Sequence, residues 1–188
     1  MVNSTIRLRF AQGCMPRASA SIVTHNRMAA HAPEVVCTVA ELAASPGKRR
    51  CVRLKSGRGV LIMLIGETLS CIDALCYHHG APLIDGDVED IGGHTVIRCP
   101  WHKYLIEPAT GECLYHAIVD MATRETAVKS KGLKQRTHAV QVAAGNIVVT
   151  ESTLAGDLPS DHYARDAFPP AGAQPPKGGV PLHSSVLR

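Results

Sequence analysis

The sequence predicts an all-β domain, a sandwich of short antiparallel strands with a small two-loop subdomain. Short β-like runs recur at close spacing, turn-forming residues separate them, and no run carries a long helical period. The 188 residues leave room for one compact domain and its tails. An apolar share of 45 % against 19 % charged residues marks a chain with a core to bury.

In chain order, strands are expected near residues 34–39, 50–55, 59–65, 68–72, 94–99, 103–106, 134–142 and 146–150. Thr38 followed by Glu41 is a capping-box pattern, so a short helical turn through Ala44 is expected before Pro46 and Gly47. Ser56-Gly57-Arg58-Gly59 suits a hairpin closing the second run onto the third, and Ala144-Gly145-Asn146 suits the last one, since Gly and Asn tolerate positive φ. The stretch from His116 to Leu133 lacks strand periodicity and is expected as a loop excursion with some helix around residues 122–129. From Gly156 onward Pro and Gly recur without a repeat, a composition that stays disordered. The expected organisation is a leader at 1–33, one domain at 34–151 and a Pro/Gly-rich disordered tail at 152–188.

The net charge of +4 is a property of the leader. Residues 34–151 hold thirteen basic and thirteen acidic side chains and residues 152–188 hold three of each, so the surplus is Arg7, Arg9, Arg17 and Arg27. A basic nucleic-acid-binding face is thereby excluded as its source. Arg-rich, Ser-rich and acid-free, the leader has the composition of an organelle transit peptide, set against a plain unstructured leader. An intracellular protein is expected, imported into mitochondria or else cytoplasmic. The longest apolar run, Val60 to Ile65, is far short of the roughly 20 residues that span a bilayer, so no membrane span is expected.

Seven cysteines, Cys14, Cys37, Cys51, Cys71, Cys76, Cys99 and Cys113, are an odd number without a framework spacing, which argues for reduced thiols with a metal-binding subset. Cys51 and Cys71 sit in apolar runs and read as small buried hydrophobes. The specific signal is Cys76-Tyr77-His78-His79-Gly80-Ala81-Pro82-Leu83, followed after a gap by Cys99-Pro100-Trp101-His102. Two short loops each offer one thiolate and one imidazole. A Cys2His2 zinc site through Cys76, His79, Cys99 and His102 is one chemistry this allows. Ferric iron and sulfide are the other, with two imidazoles raising the potential above that of an all-cysteine cluster.

The pattern resembles the Rieske 2Fe-2S family, in Cys-x-His and Cys-x-x-His loops, in Gly80 and Leu83, in Pro100, and in Thr110-Gly111-Glu112. It is most similar to the soluble Rieske-type ferredoxins of eukaryotes, also through residues 86–90, Trp101-His102-Lys103-Tyr104 and residues 129–136. The resemblance covers roughly residues 34–150. It implies one 2Fe-2S cluster, with Cys76 and Cys99 on one iron and His78 and His102 on the other through Nδ1. The histidine-bound iron would change valence. Respiratory quinol-oxidising members carry an extra cysteine in each loop, forming a disulfide, and a Gly-Ser pair after the second histidine. Here Ala81 and Trp101 take the cysteine places and Lys103 and Tyr104 follow His102. These departures imply a potential toward the lower end of the Rieske range, about −150 mV, and no quinol role.

The resemblance implies a monomeric one-electron carrier between a flavin reductase and an oxygenase or other redox enzyme. A small Rieske-like subunit of a reductase, such as nitrite reductase, and a structural zinc module are the alternatives. No Ser-His-Asp order, Walker loop, Gly-x-Gly-x-x-Gly motif or iron-binding facial triad is found, so no intrinsic catalysis is expected. His94, His116 and His138 have no partner at ligand spacing and read as surface or strand residues, and Trp101 reads as an apolar contact beneath the second loop. A basic stretch, residues 124–136, and an acidic one, Asp85, Asp87, Glu89 and Asp90, are candidate docking patches.

Overall fold

The computed structural model describes residues 31–170 and 172–175, so the leader, apart from its last three residues, lies outside the described residues. β1 (Glu34–Thr38) runs into α1 (Val39–Ala44), and the expected capping box sets the junction. The Glu41 amide donates to Thr38 Oγ1 at 3.1 Å, and the Thr38 amide donates to the Glu41 carboxylate at 2.7 Å. β2 (Arg49–Arg53), β3 (Gly59–Ile65) and β4 (Thr68–Asp73) form an antiparallel sheet in that order. A five-stranded antiparallel sheet follows, made in chain order from β5 (Asp87–Ile91), β6 (His94–Arg98), β7 (Leu105–Ile106), β8 (Glu112–Asp120) and β9 (Glu125–Leu133). β10 (Ala139–Ala143) and β11 (Asn146–Thr150) then return to β1, giving a third sheet ordered β1-β11-β10. The all-β expectation holds.

β3 is the middle of the packing, because Val60, Leu61, Ile62 and Met63 are all fully buried. Alternate side chains serve two cores, as the two-residue period of a strand requires. Leu61 and Met63 pack with Ile72, Leu83, Ile97 and Ile106; Val60 and Ile62 pack with Leu42, Ile147 and Val149. Each such side chain is worth roughly 1.5–3 kcal/mol on burial. Cys71 and Cys51 join these cores as expected, and burial, ahead of a nearby carboxylate, raises both thiols, Cys51 to about 12.

Three segments differ from expectation. Residues 116–133 hold no helix; they belong to a long hairpin of β8 and β9. Neither strand buries a full face, since His116, Ile118 and Val119 are exposed along with most of β9, so no apolar alternation marks them. The ladder itself holds them, with an Asp120 turn in which Oδ1 accepts from the amides of Ala122 and Thr123. Asp87–Ile91, acidic in sequence, is likewise a strand. The third correction is the tail. Its described residues are not extended and free: Pro159–Tyr163 forms a 3-10 turn, and Ser160, Tyr163 and Ala164 are buried.

A buried ion network holds that turn. Arg58 donates to Asp73 at 2.8 Å, to Glu151 at 3.0 Å and to Asp161 at 2.9 Å. Arg136 donates to Asp161 at 2.7 and 2.6 Å. The Ser160 hydroxyl donates to Asp73 Oδ2 at 2.6 Å, and His138 Nε2 lies 3.1 Å from Oδ1. His138 is therefore a buried strand-end residue, where a surface or strand position was expected.

Burial alone would raise the Asp161 carboxyl, but donation from Arg136, the Leu158 amide and Arg58 outweighs it and holds the group at about 2. Its unfolded value is about 3.9. A depressed folded pKa contributes stability that is complete above the unfolded value and is lost as pH falls toward the folded one. Urea unfolding across the acid range is therefore expected to lose stability between about pH 4 and pH 2 in the native chain, and Asp161→Asn to flatten that slope. An equal slope in the variant would remove Asp161 from the acid response.

Candidate metal centre

Two loops carry the motif residues, one leaving β4 and one leaving β6, and both close by the same backbone pattern. In the first, the Cys76 amide donates to Ala81 O at 2.8 Å and the Gly80 amide to Cys76 O at 2.9 Å. In the second, the Cys99 amide donates to Tyr104 O at 2.8 Å and the Lys103 amide to Cys99 O at 3.1 Å. The fifth residue of each turn takes a positive φ, +68° at Gly80 and +59° at Lys103. Glycine meets that requirement without strain, whereas a lysine pays for it with conformational energy of about 1 kcal/mol or more.

The first loop is tied from beneath by Gln135, a fully buried amide. Its Nε2 donates to Asp73 O at 2.9 Å and to Leu75 O at 2.8 Å, while Oε1 accepts from the Tyr77 amide at 3.0 Å. Tyr77 donates its hydroxyl to Cys113 Sγ at 3.0 Å and meets Tyr104 edge-on, with ring centroids 5.5 Å apart. Leaving β9, the chain crosses Gly111, whose carbonyl accepts from the amides of Lys134 at 3.1 Å and Gln135 at 3.0 Å; Gly111 has φ +80°, and a Cβ there would collide with Gln135 O. Gln135 lies inside the stretch that carried the family resemblance, yet nothing in its residue type marked it as the tie beneath the loop.

Two pairs form across the loops, Cys76 with Cys99 and His78 with His102. Both sulfurs are fully buried and hydrogen-bonded to each other. The bond to Cys76 lowers the Cys99 thiol against its burial, helped by the backbone amides of His102 and Trp101. Burial, the first cause at Cys76, raises that thiol instead. Across the two loops, His78 Nδ1 and His102 Nδ1 face each other at 3.3 Å, with the rings nearly perpendicular at 88°. Burial, then the neighbouring His79 and His102, pushes His78 down to about 4, leaving a neutral imidazole. His79 stacks on His78, centroids 4.0 Å apart, and its Nε2 is buried with no hydrogen-bond partner.

The donor set fits a metal group. Two nitrogens held about 2.0–2.1 Å from one tetrahedral metal lie roughly 3.3–3.4 Å apart, which matches the His78–His102 separation. Two buried, amide-assisted sulfurs suit a second position on the inner side. The other histidines stay away: His94 Nδ1 lies 2.8 Å from Glu107, His116 is exposed on β8, and His138 joins the ion network. Trp101 packs against the core as expected, and it also donates Nε1–H to Ala173 O.

The charged stretches are partly spent on structure. In the acidic one, Glu89 pairs with Arg98 at 2.6 Å, Asp90 accepts from the Gly93 amide and Asp85 from the Gly172 amide. In the basic one, Arg136 belongs to the ion network, while Lys131 Nζ lies over the rings of Tyr104 and Tyr115, at 5.8 and 5.2 Å.

A family model described as soluble Rieske-type ferredoxin matches residues 38–154. A human Rieske domain-containing protein is 44 % identical over 115 residues, which span 59 % of this chain and 71 % of the human one. Among solved structures, one assigned as the NADH-dependent nitrite reductase small subunit of Mycobacterium tuberculosis is 20 % identical, with a TM-score of 0.50 over 66 % of this chain and 98 % of that one. The ferredoxin of carbazole 1,9a-dioxygenase from Nocardioides aromaticivorans IC177 is 23 % identical, with a TM-score of 0.46 over 64 % and 98 %. At 20 % identity the likeness to the Mycobacterium tuberculosis structure concerns the fold.

Replacing Gln135 with Leu strands the Tyr77 amide and the carbonyls of Asp73 and Leu75, and each orphaned buried group costs about 1–3 kcal/mol. Gln135→Leu is expected to lower unfolding free energy in urea by at least about 2 kcal/mol and to speed exchange of the Tyr77 amide. Unchanged protection of that amide would show that the tie does not hold the loop.

Proposed function

The chain belongs to the family of soluble Rieske-type ferredoxins, and from that premise we propose that it is a one-electron carrier holding one Rieske 2Fe-2S cluster through Cys76, Cys99, His78 and His102. The observation that carries the reading is that the two loops that bury Cys76 and Cys99 also set His78 Nδ1 and His102 Nδ1 face to face, 3.3 Å apart. When bound, the cluster supplies a one-electron couple whose potential the two imidazoles raise. Cys76 and Cys99 would hold one iron of that cluster, and His78 and His102 the other. Their amide and Gln135 supports set the loops before metal arrives, which reduces the ordering cost of binding. His102 is exposed and His78 half-buried, so their ring edges offer the route by which a partner's cofactor approaches.

The partners in this reading are a reductase on the donor side and an oxygenase or other redox enzyme on the acceptor side. Among the described residues no helix is long and apolar enough to cross a membrane. One observation favours a second reading. The buried, unpartnered His79 Nε2 belongs to a group of three imidazoles whose ligand atoms lie within 4.8 Å of one another, so zinc held with His79 is the competing site.

Metal content and spectroscopy separate the two. The isolated protein is expected to be red-brown and, after reduction, to give a rhombic electron paramagnetic resonance signal; a colourless protein with stoichiometric zinc would refute the cluster. Cys76→Ser, Cys99→Ser, His78→Ala and His102→Ala are each expected to lose the cluster, and His79→Ala to keep it. Loss in His79→Ala would move the ligand role to His79.

A further inference from the structure

Resting on the reading of the chain as a cluster carrier, we infer that the segment after Leu158 is a brace that positions both cluster loops, with Tyr163 and Trp101 as its positioning residues. The family match ends at residue 154, so the brace lies beyond the matched domain. Its foot is locked: Ser160 is fully buried, donates to Asp73 and accepts from the Arg136 amide at 2.9 Å, while Asp161 is gripped by Arg58 and Arg136. Tyr163 leaves that foot toward the first loop. Its ring lies over Gly80, where a Cβ would come within 2.9 Å of Cδ1, and its hydroxyl donates to His78 O at 3.2 Å. Farther along, the Gly172 amide donates to Asp85 at 3.0 Å and Ala173 O accepts from Trp101 Nε1–H.

One segment thus touches the first loop at a proposed ligand, His78, and the second at Trp101, which lies between Cys99 and His102. No covalent link joins the loops, since Cys76 and Cys99 are free thiols. Ligands on two separate loops must be held together for a metal group to stay, and opening either loop admits a chelator. A brace that bonds both loops to a fixed foot opposes that opening, because each loop must break a contact in addition to its metal bonds. Tyr163 adds an electrostatic effect. The positive end of its O–H dipole points at the His78 carbonyl, beside a site that gains negative charge on reduction, so removing it lowers the potential.

The test uses the full-length, cluster-loaded protein and the variants Tyr163→Phe, Tyr163→Ala, Trp101→Phe and Phe168→Ala. Phe168 lies in the same segment but packs against Gly59 and under Arg53, away from the loops, and serves as the control. Under a ferrous chelator, Tyr163→Ala and Trp101→Phe are expected to bleach about tenfold faster than the native protein, as the loss of one net hydrogen bond with its packing predicts. Phe168→Ala is expected to bleach at the native rate. Tyr163→Phe, which keeps the ring, should bleach at an intermediate rate and show a lower midpoint potential, a shift that a purely global stabiliser would not produce. Hydrogen exchange of residues 76–83 in the cluster-free protein should quicken in Tyr163→Ala. Native bleaching and native exchange in Tyr163→Ala would overturn the brace, and if that variant does not fold, an unmoved potential and rate in Tyr163→Phe would do so. A native protein without an iron-sulfur cluster would instead overturn the carrier reading, with the exchange measurement still deciding the brace.

Discussion

Asp73 ends β4 with none of its surface exposed, and a carboxylate there has to be fully paired, because an uncompensated buried charge costs several kcal/mol. Its demands reach distant parts of the chain: Arg58 in the β2–β3 turn, His138 ahead of β10 and Ser160 beyond β11. The Ser152 amide donates to His138 Nδ1, which leaves the imidazole proton on Nε2, facing Asp73. The Asp73 carbonyl accepts from Gln135 Nε2, and the Asp73 amide donates to Arg136 O at 3.0 Å. Cys76 follows three residues later. The first cluster loop therefore departs from a point fixed by side chain and main chain together, and both the sheets and the tail are arranged so as to supply the partners.

What could be read in advance followed from local physics. The capping box at Thr38 and the Gly-containing hairpin turns act within a few residues, so their sequence signals are complete in themselves. β3 was legible because burial on both faces leaves an unbroken apolar run. The four motif residues stood out because thiolate and imidazole at such spacing have few other uses, and the two loops pair cysteine with cysteine and histidine with histidine. The β8–β9 hairpin was not, since both its strands face water and its ladder hydrogen bonds leave no mark in side-chain type. The tail misled for a related reason: its Pro and Gly content suits disorder, while the pairs that fold it, Asp161 with Arg136 and Ser160 with Asp73, are separated by 25 and 87 positions. Gln135 and Tyr163 act through single long-range contacts, which no local pattern encodes.

The two loops share a closure, and the residue identities at its fifth position separate their histories. Gly80 meets positive φ freely and receives the Tyr163 ring on its bare face. Lys103 meets the same requirement with a side chain and so holds strain next to His102. Ala81 lies in the first loop and Trp101 in the second, and neither is a cysteine, so no disulfide can join the loops at these positions. Ala81 is buried, and Trp101 turns its indole N–H to the tail, so the pair is joined through hydrogen bonds and packing. A non-covalent link of this kind is indifferent to the thiol redox balance of its surroundings, which a disulfide is not.

β9 closes the five-stranded sheet as an edge, and an edge strand of nine residues is an invitation to pair with another copy. Lys129 and Lys131 stand along it, with Gly132 at φ +81° bending its end, and these features blunt such pairing. Beyond Tyr115 and Lys129 the hairpin buries little, and its turn carries the exposed Met121. The outer half is accordingly uncoupled from the cores and from the metal loops, which touch the sheet at its other end. Residues 121–124 make a natural port for protein engineering: a peptide tag or fluorophore inserted there would ride on a rigid arm whose register is set elsewhere.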